Sequence, residues 1–226
     1  MSKILITGSM SGLGKCLKEV LQEQGHEVFD YDLSLGQDVS RPDVPYLVAI
    51  GELDVLINCA GVNIIDWLEN FSMFDWDKVM NANAKGIFAM SQACLPALAK
   101  SRGTILNVVS NAAHMPMSCS GAYNASKGAA LILTKQLARE LTKKHGITVF
   151  SVSPNKLKGT GMSESIDEQV VATRGWTKEY AQQYQLNGLL TGEETDPAMV
   201  AEFIAFLLQD KAHHSQLSGT DIPYGL

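Results

Sequence analysis

Two side chains able to handle protons stand four positions apart in the stretch "GAYNASKGAA", residues 121–130: Tyr123 and Lys127. On a helix, positions i and i+4 share one face. A free phenol titrates near 10 and is a poor acid or base at neutral pH. A neighbouring ammonium favours the phenolate and draws that value toward the working range. The pair therefore predicts proton transfer at a substrate oxygen. The small residues around it, Gly121, Ala122, Ala125 and Ala129, predict close approach of cofactor, substrate and neighbouring helices. A second such run is "TGSMSGLGK", which sets Gly8, Gly12 and Gly14 between an apolar run and an amphipathic one. Amides at a helix N-terminus attract phosphate, and glycines let a pyrophosphate approach closely. A P-loop fails on spacing: Ser9 stands where its first glycine belongs, and Cys16 follows Lys15 in place of Ser or Thr. Lys15 reads as a solvated helix-face charge. Asp32 lies about twenty residues past the last glycine, where a carboxylate accepts from a ribose 2′-hydroxyl and repels a 2′-phosphate. The loop Ser9-Met10-Ser11 offers no cation to neutralise such a phosphate. Both points favour NAD(H) over NADP(H). The other reading of Asp32 is a plain turn acid.

These residues need a scaffold. Residues 4–6 form a short apolar run, and Leu13, Cys16, Leu17, Val20 and Leu21 then repeat with helical period. Residues 26–31 read as a second strand, completing a unit of βαβ size. The alternation continues with strands at 55–57, 104–109 and 148–152, helices over 75–98 and 123–144, and a short last strand around Ile222. Leu133, Leu137 and Leu141 stack at i+4 spacing. Asp196-Pro197 opens a helix: a capping acid, then Pro at the first helical position. Apolar strands alternating with helices predict an α/β fold with a parallel sheet covered on both faces, a three-layer αβα, Rossmann-type, doubly wound arrangement. No composition break divides the chain, so residues 1–226 read as one domain. Between 162 and 190 the strand signals stop, and Trp176, Tyr180 and Tyr184 appear. Two readings stand for this segment: a substrate lid, or a surface helix packed through its aromatics.

Composition narrows the function classes. The chain has 226 residues and a net charge of −6. That balance argues against a nucleic-acid partner and against an anionic membrane surface. Cys16, Cys59, Cys94 and Cys119 show no C-x-x-C pairing and no histidine at zinc-finger spacing, so no metal site is expected. They read as small hydrophobes in a reducing compartment. The N-terminus lacks a signal-type apolar run, and no run is long enough to span a bilayer, which predicts a soluble cytoplasmic protein.

Taken together, the motifs resemble the short-chain dehydrogenase/reductase family, in its short single-domain branch. Thr7-Gly8-Ser9-Met10-Ser11-Gly12-Leu13-Gly14 matches its T-G-x-x-x-G-x-G turn. Asn58-Cys59-Ala60-Gly61 is similar to its N-N-A-G segment with one change, and Asn83-Ala84-Lys85-Gly86 to the helix bearing its active-site Asn. Ser110 lies thirteen positions before Tyr123, and Tyr123 to Lys127 reads Y-x-x-x-K. The resemblance covers almost the whole chain. It implies a tetrad of Asn83, Ser110, Tyr123 and Lys127. Ser110 would bind the substrate carbonyl or hydroxyl, Lys127 would also hold the nicotinamide ribose, and Asn83 would position a water linking Lys127 to solvent. It implies cofactor contacts from Gly8, Ser11, Gly12, Leu13, Gly14 and Asp32, and from Asp38 and Val39 at the adenine. Asn58, Ala60 and Gly61 would line the adenosine side; Pro154 and Thr160 would approach the nicotinamide end. The implied activity interconverts a small-molecule alcohol and a ketone or aldehyde with NAD(H), in a homodimer or homotetramer.

Some positions depart from the pattern. Asn155 stands where Gly is usual, which predicts a left-handed backbone there and a side chain near the nicotinamide. Thr160 comes one position late, and residues 33–53 are compressed, which predicts a shortened or deleted crossover helix. The C-terminal "LSGTDIPYGL" resembles the family's closing strand, with Tyr224 and Gly225 in place of an aliphatic residue and an acid. Met115, Met117 and Met162 read as an adaptable substrate wall, with core packing as the alternative for at least one. His114 reads as structural and His213-His214 as capping a helix end. Two other functions stand beside the enzyme: a catalytically idle dinucleotide-binding regulator or partner-binding protein on the same fold, and a sugar-nucleotide epimerase or dehydratase. The last has a T-G-x-x-G-x-x-G turn and a larger C-terminal region than this chain offers.

Overall fold

In the computed structural model, residues 1–225 are described, and Leu226, the last residue of the closing segment, lies outside them. Six strands form one sheet: β1 (Lys3–Thr7), β2 (Glu27–Tyr31), β3 (Val55–Asn58), β4 (Thr104–Val108), β5 (Thr148–Pro154) and β6 (Asp221–Tyr224). Their order is β2-β1-β3-β4-β5-β6, and every pairing is parallel. Parallel neighbours need crossovers, supplied by α1 (Gly12–Glu23), α2 (Val44–Ala49), α3 (Met73–Met80), α4 (Gly86–Ser101), α5 (Gly121–His145), α6 (Gly161–Arg174), α7 (Lys178–Asn187), α8 (Pro197–Leu208) and α9 (Lys211–His214).

Period-two alternation along the strands divides the core into two layers. Ile4, Ile6, Val55, Ile57, Leu106, Phe150 and Val152 pack with Leu13, Leu17 and Leu21 of α1 and Val200 and Ile204 of α8. Leu5, Leu56, Ile105 and Val149 face the other way, against α2, α4 and α5. The sheet is thus covered on both faces, as its apolar strands require.

The helix ends follow their sequence signals. Asp196 accepts from the Ala198 amide at 2.8 Å, with Pro197 first in α8. Gly146 closes α5 at φ 70°, its amide bonded to the Thr142 carbonyl, a backbone conformation that favours glycine. The compressed segment gives a single 3₁₀ turn (Leu33–Leu35) and the six-residue α2. The sheet accordingly ends at β2, one strand short of the three that the Rossmann order places on that side. Tyr31 and Tyr46 occupy the space: the Tyr31 hydroxyl accepts from the Asp43 amide at 2.8 Å, and the Tyr46 hydroxyl donates to the Asp30 carbonyl at 2.9 Å.

Strand order reverses between β1 and β3, which opens a crevice at their carboxyl ends. Among the described residues, no helix is long and apolar enough to cross a membrane.

Candidate active site

The glycine turn fills the crevice at the end of β1. Gly8 has φ +71° and Gly12 φ +50°, a region that side chains rarely adopt. A Cβ on Gly8 would stand 2.9 Å from the Ala60 Cα, and one on Gly14 only 2.0 Å from the Gly8 carbonyl oxygen. Thr7 locks this turn to the next one: its hydroxyl accepts from the amides of Cys59 and Ala60 at 3.0 and 3.1 Å. Ser11 precedes α1 in extended conformation and spends no side-chain bond on the helix. Leu13 is buried under the turn.

These residues fit a dinucleotide. The Ser9 hydroxyl and the Asn58 carboxamide oxygen are buried without a partner. Asn58 also donates to Asn107 at 2.9 Å, and Asn107 to Thr134 of α5 at 2.9 Å, so one polar chain ties β3, β4 and α5. Asn107, a polar residue inside the apolar run of β4, is the signal in the sequence for that chain.

Asp32 follows β2 directly. Its carboxylate accepts from the Met10 amide at 3.1 Å and from the amide and hydroxyl of Ser34 at 2.9 and 2.8 Å. Partial burial raises its pKa, but these bonds prevail and bring it below the ordinary carboxylate value. Asp32 thus caps a turn, as the second reading has it, and also reaches the glycine loop at Met10. The cations on α1 are engaged, Lys15 lying 3.8 Å from Glu19 and Lys18 2.6 Å from Asp30. Asp38 accepts from the Ser40 amide at 2.8 Å.

The tetrad positions converge at the carboxyl end of β4. Tyr123 and Lys127 are both buried, with the Lys127 ammonium 5.8 Å from the Tyr123 ring centre and donating to the Val108 carbonyl at 3.0 Å. Asn83 is fully buried in a π-helical turn (Asn81–Lys85) between α3 and α4. There the Gly86 amide reaches back five residues to Asn81. The Asn83 carboxamide accepts from the Val62 amide at 2.8 Å and donates to the Val62 carbonyl and the Ser126 hydroxyl, each at 2.9 Å. Both of its amide hydrogens are thus engaged. Gly61 is confined between Asn83 and Lys127: a Cβ there would lie 3.2 Å from Asn83 Oδ1 and 3.7 Å from Lys127 Nζ. The Ser110 hydroxyl accepts from the Ala112 amide at 3.2 Å and starts the 3₁₀ turn Asn111–Ala113.

Several expectations are corrected here. Burial raises the Tyr123 phenol above its ordinary value, with the Ser110 hydroxyl opposing, so the expected downward pull is overridden. Burial also lowers Lys127 itself, to about 8. The Asn155 side chain is tied to the closing segment: it donates to the Gly225 carbonyl at 2.9 Å and accepts from the Lys156 amide at 2.9 Å. Its backbone is not left-handed; among the described residues only Arg102 and Cys119 are non-glycine residues at positive φ. Pro154 ends β5, and Thr160 caps α6 and packs toward Gly12, on the phosphate-turn side. Met115, Met117 and Met162 all lie in the open rather than in a core cluster. His214 is buried, with Nε2 2.9 Å from the Thr104 hydroxyl, while His213 pairs with Asp210 in the open. His114 lies 2.8 Å from Asp221. A Cβ on Gly121 would meet nothing within 4 Å, so no intrachain contact explains that small residue.

The segment 161–187 is helical and joins both walls of the site. Gln169 accepts from the Ile65 amide at 2.8 Å, the Trp67 indole donates to the Thr173 carbonyl at 3.2 Å, and Arg174 donates to the Ser118 carbonyl at 2.7 Å. Ile65, Cys119, Val170 and Ala181 form a small core of their own beneath it. Lys156, at the root of α6, bridges Asp167 at 2.6 Å and Glu194 at 2.8 Å. The contacts to Ile65, Trp67 and Ser118 were not legible in the sequence because they join residues about fifty to a hundred positions apart.

The same layout recurs in known proteins. The family model for short chain dehydrogenases matches residues 45–171. The chain is 30% identical to 3-oxoacyl-(acyl-carrier-protein) reductase of Vibrio cholerae, over 92% of this chain and 90% of that one. It is 28% identical to sorbitol-6-phosphate 2-dehydrogenase of Klebsiella pneumoniae, over 98% and 94%. A variant of actinorhodin polyketide ketoreductase solved with NADPH superposes with a TM-score of 0.86 at 24% identity, over 98% of this chain and 95% of that one. A glycine turn at a strand-order reversal and a Tyr/Lys pair buried beside it are thus joined to relatives matched nearly end to end, and the chain belongs to the short chain dehydrogenase family of oxidoreductases.

Proposed function

We propose that the chain is an NAD(H)-dependent oxidoreductase that interconverts a small-molecule alcohol and its ketone or aldehyde. One observation carries this reading: Tyr123, Lys127, Asn83 and Ser110 come from three separate elements to the end of β4, on the same edge of the sheet as a close-packed glycine turn. A bound nicotinamide would supply or accept the hydride. Gly8, Ser11, Gly12, Leu13 and Gly14 would hold the pyrophosphate, and Asp32 the adenine ribose. Asp38, Val39, Asn58, Ala60 and Gly61 would flank the adenosine, with Pro154 toward the nicotinamide end and Thr160 beside the pyrophosphate at Gly12.

In reduction, Ser110 donates a hydrogen bond to the substrate carbonyl, and Tyr123 delivers its phenolic proton to the same oxygen. Burial keeps the Tyr123 proton in place at neutral pH, which suits a donor. In oxidation Tyr123 must accept, and Lys127 stabilises the phenolate in its protonated form. Asn83 supports this by pinning Val62 and Ser126, whose hydroxyl in turn donates to the Tyr123 carbonyl at 2.8 Å.

NAD(H) is favoured because the ionised Asp32 faces the glycine loop, and Lys18 is paired with Asp30. The α6–α7 pair acts as the lid, and Met115, Met117 and Met162 form an apolar, adaptable substrate wall. Phe88 of α4 and Ile132 of α5 are exposed, which supports a homodimer or homotetramer. The test is a panel of ketones and secondary alcohols, read by NADH absorbance and repeated with NADPH. Turnover with NADH preferred is expected. No turnover with either cofactor, despite nucleotide binding, would favour an idle dinucleotide-binding protein.

A further inference from the structure

The ten residues between Ser110 and α5 carry the exposed Met115 and Met117 and lead directly to Tyr123. This loop has little internal structure beyond one 3₁₀ turn. It is held from outside at His114, which meets Asp221 of β6, and at Ser118, which meets Arg174 of α6. A third tether comes from the helix of Tyr123 itself. The Asn124 carboxamide donates to the Ala112 carbonyl at 2.6 Å and to the Met115 carbonyl at 2.8 Å, and accepts from the Met117 amide at 3.2 Å. Both amide hydrogens and the oxygen are used on three successive parts of the loop. Ala112 also bonds the Ser110 hydroxyl through its amide. Asn124, the residue after Tyr123, is therefore bonded directly to the turn capped by Ser110.

We infer that Asn124 is a positioning residue: it sets the register of Ser110 and the Met115–Met117 wall against Tyr123. The inference rests on the reaction proposed above for these residues. Only a carboxamide supplies two donors and an acceptor from one planar group at this reach. A carboxylate of the same shape would face two carbonyl oxygens with no hydrogen to give, whereas a protonated carboxyl could restore one of the two bonds.

The experiment compares wild type, Asn124→Asp and Asn124→Ala by hydrogen exchange, by NADH titration of Trp fluorescence, and by steady-state rates on the best ketone of the panel from pH 5 to 8. Exchange in 111–120 should rise roughly tenfold in both variants, with the glycine turn unchanged. NADH affinity should stay within about twofold of wild type, while kcat falls roughly tenfold to a hundredfold, as expected for a misplaced reacting group. Relative to wild type, Asn124→Asp should regain rate as pH falls through its carboxyl titration, and Asn124→Ala should not. Unchanged exchange in 111–120 would overturn the inference, and so would a loosened loop with unchanged kcat. A wild type that turns over nothing defeats the proposed reaction instead, and the exchange result then still decides whether Asn124 orders the loop.

Discussion

Replacing Lys127 by Met should change how stability depends on pH. Burial lowers the Lys127 pKa from its ordinary 10.5 to about 8. A difference of that size corresponds to about 3 kcal/mol between the folded and unfolded environments of the ammonium. The sign follows from proton counts. The unfolded chain keeps the Lys127 proton up to about 10.5, while the folded chain releases it near 8. Below 8 both states hold the proton, and the folded protein carries the full cost of a buried charge. Between 8 and 10.5 the unfolded state binds more protons, so this group adds stability as pH rises. Lys127→Met removes the charge and the bond to the Val108 carbonyl, the latter at a cost of about 1 kcal/mol. The variant's advantage over wild type should shrink by about 2–3 kcal/mol between pH 7 and 10. Cys94, pushed up to about 12 by burial, adds an opposing alkaline slope in both proteins, and Cys59, also raised to about 12 but held down by Lys127, opposes more strongly in the variant. The assay is urea unfolding of the cofactor-free protein, followed by Trp fluorescence at pH steps. A wild-type-to-variant difference that stays flat from pH 7 to 10 would refute the claim that Lys127 is buried as a charged group.

Three further outcomes are expected. Gly14→Ala puts a methyl 2.0 Å from the Gly8 carbonyl oxygen, and the backbone there has no flexible end to yield. It should cost about 4 kcal/mol or more of stability and abolish NADH binding, both readable by thermal unfolding with and without NADH. Asp32→Ala should narrow the preference for NADH over NADPH, measured by fluorescence titration of each, and an unchanged ratio would place discrimination elsewhere. His214 is buried with its pKa lowered, so the unfolded state takes up its proton first. Stability therefore falls as pH drops below about 6.5, and His214→Gln should flatten that acid slope in urea titrations between pH 5 and 7.

What could be read in advance was what local pattern controls. The alternation of Ile4, Leu5 and Ile6 between two core layers follows from period two, and the cap at Asp196 from residue type. The glycine turn was legible because backbone conformation and close approach both restrict those positions to glycine. The site was harder to read where burial sets the chemistry. Spacing places Lys127 beside Tyr123, but only the packed structure shows that both groups lose their water, so that the phenol shifts up instead of down and the ammonium falls to about 8. Asn155 shows the same limit: its freedom to turn left-handed is a property of the residue, while its bond to Gly225 depends on the strand beside it. The contacts of α6 with Ile65 and Ser118 join loops far apart in sequence and left no local pattern.

The most direct measurement compares wild type with Tyr123→Phe on the best substrate of the ketone and alcohol panel, alongside NADH titration of each. Loss of the phenolic hydroxyl removes the proton donor and leaves the glycine turn and Asp32 intact. Turnover should vanish while NADH binding stays nearly unchanged. Undiminished turnover by Tyr123→Phe would contradict the assignment of Tyr123 as the acid–base group.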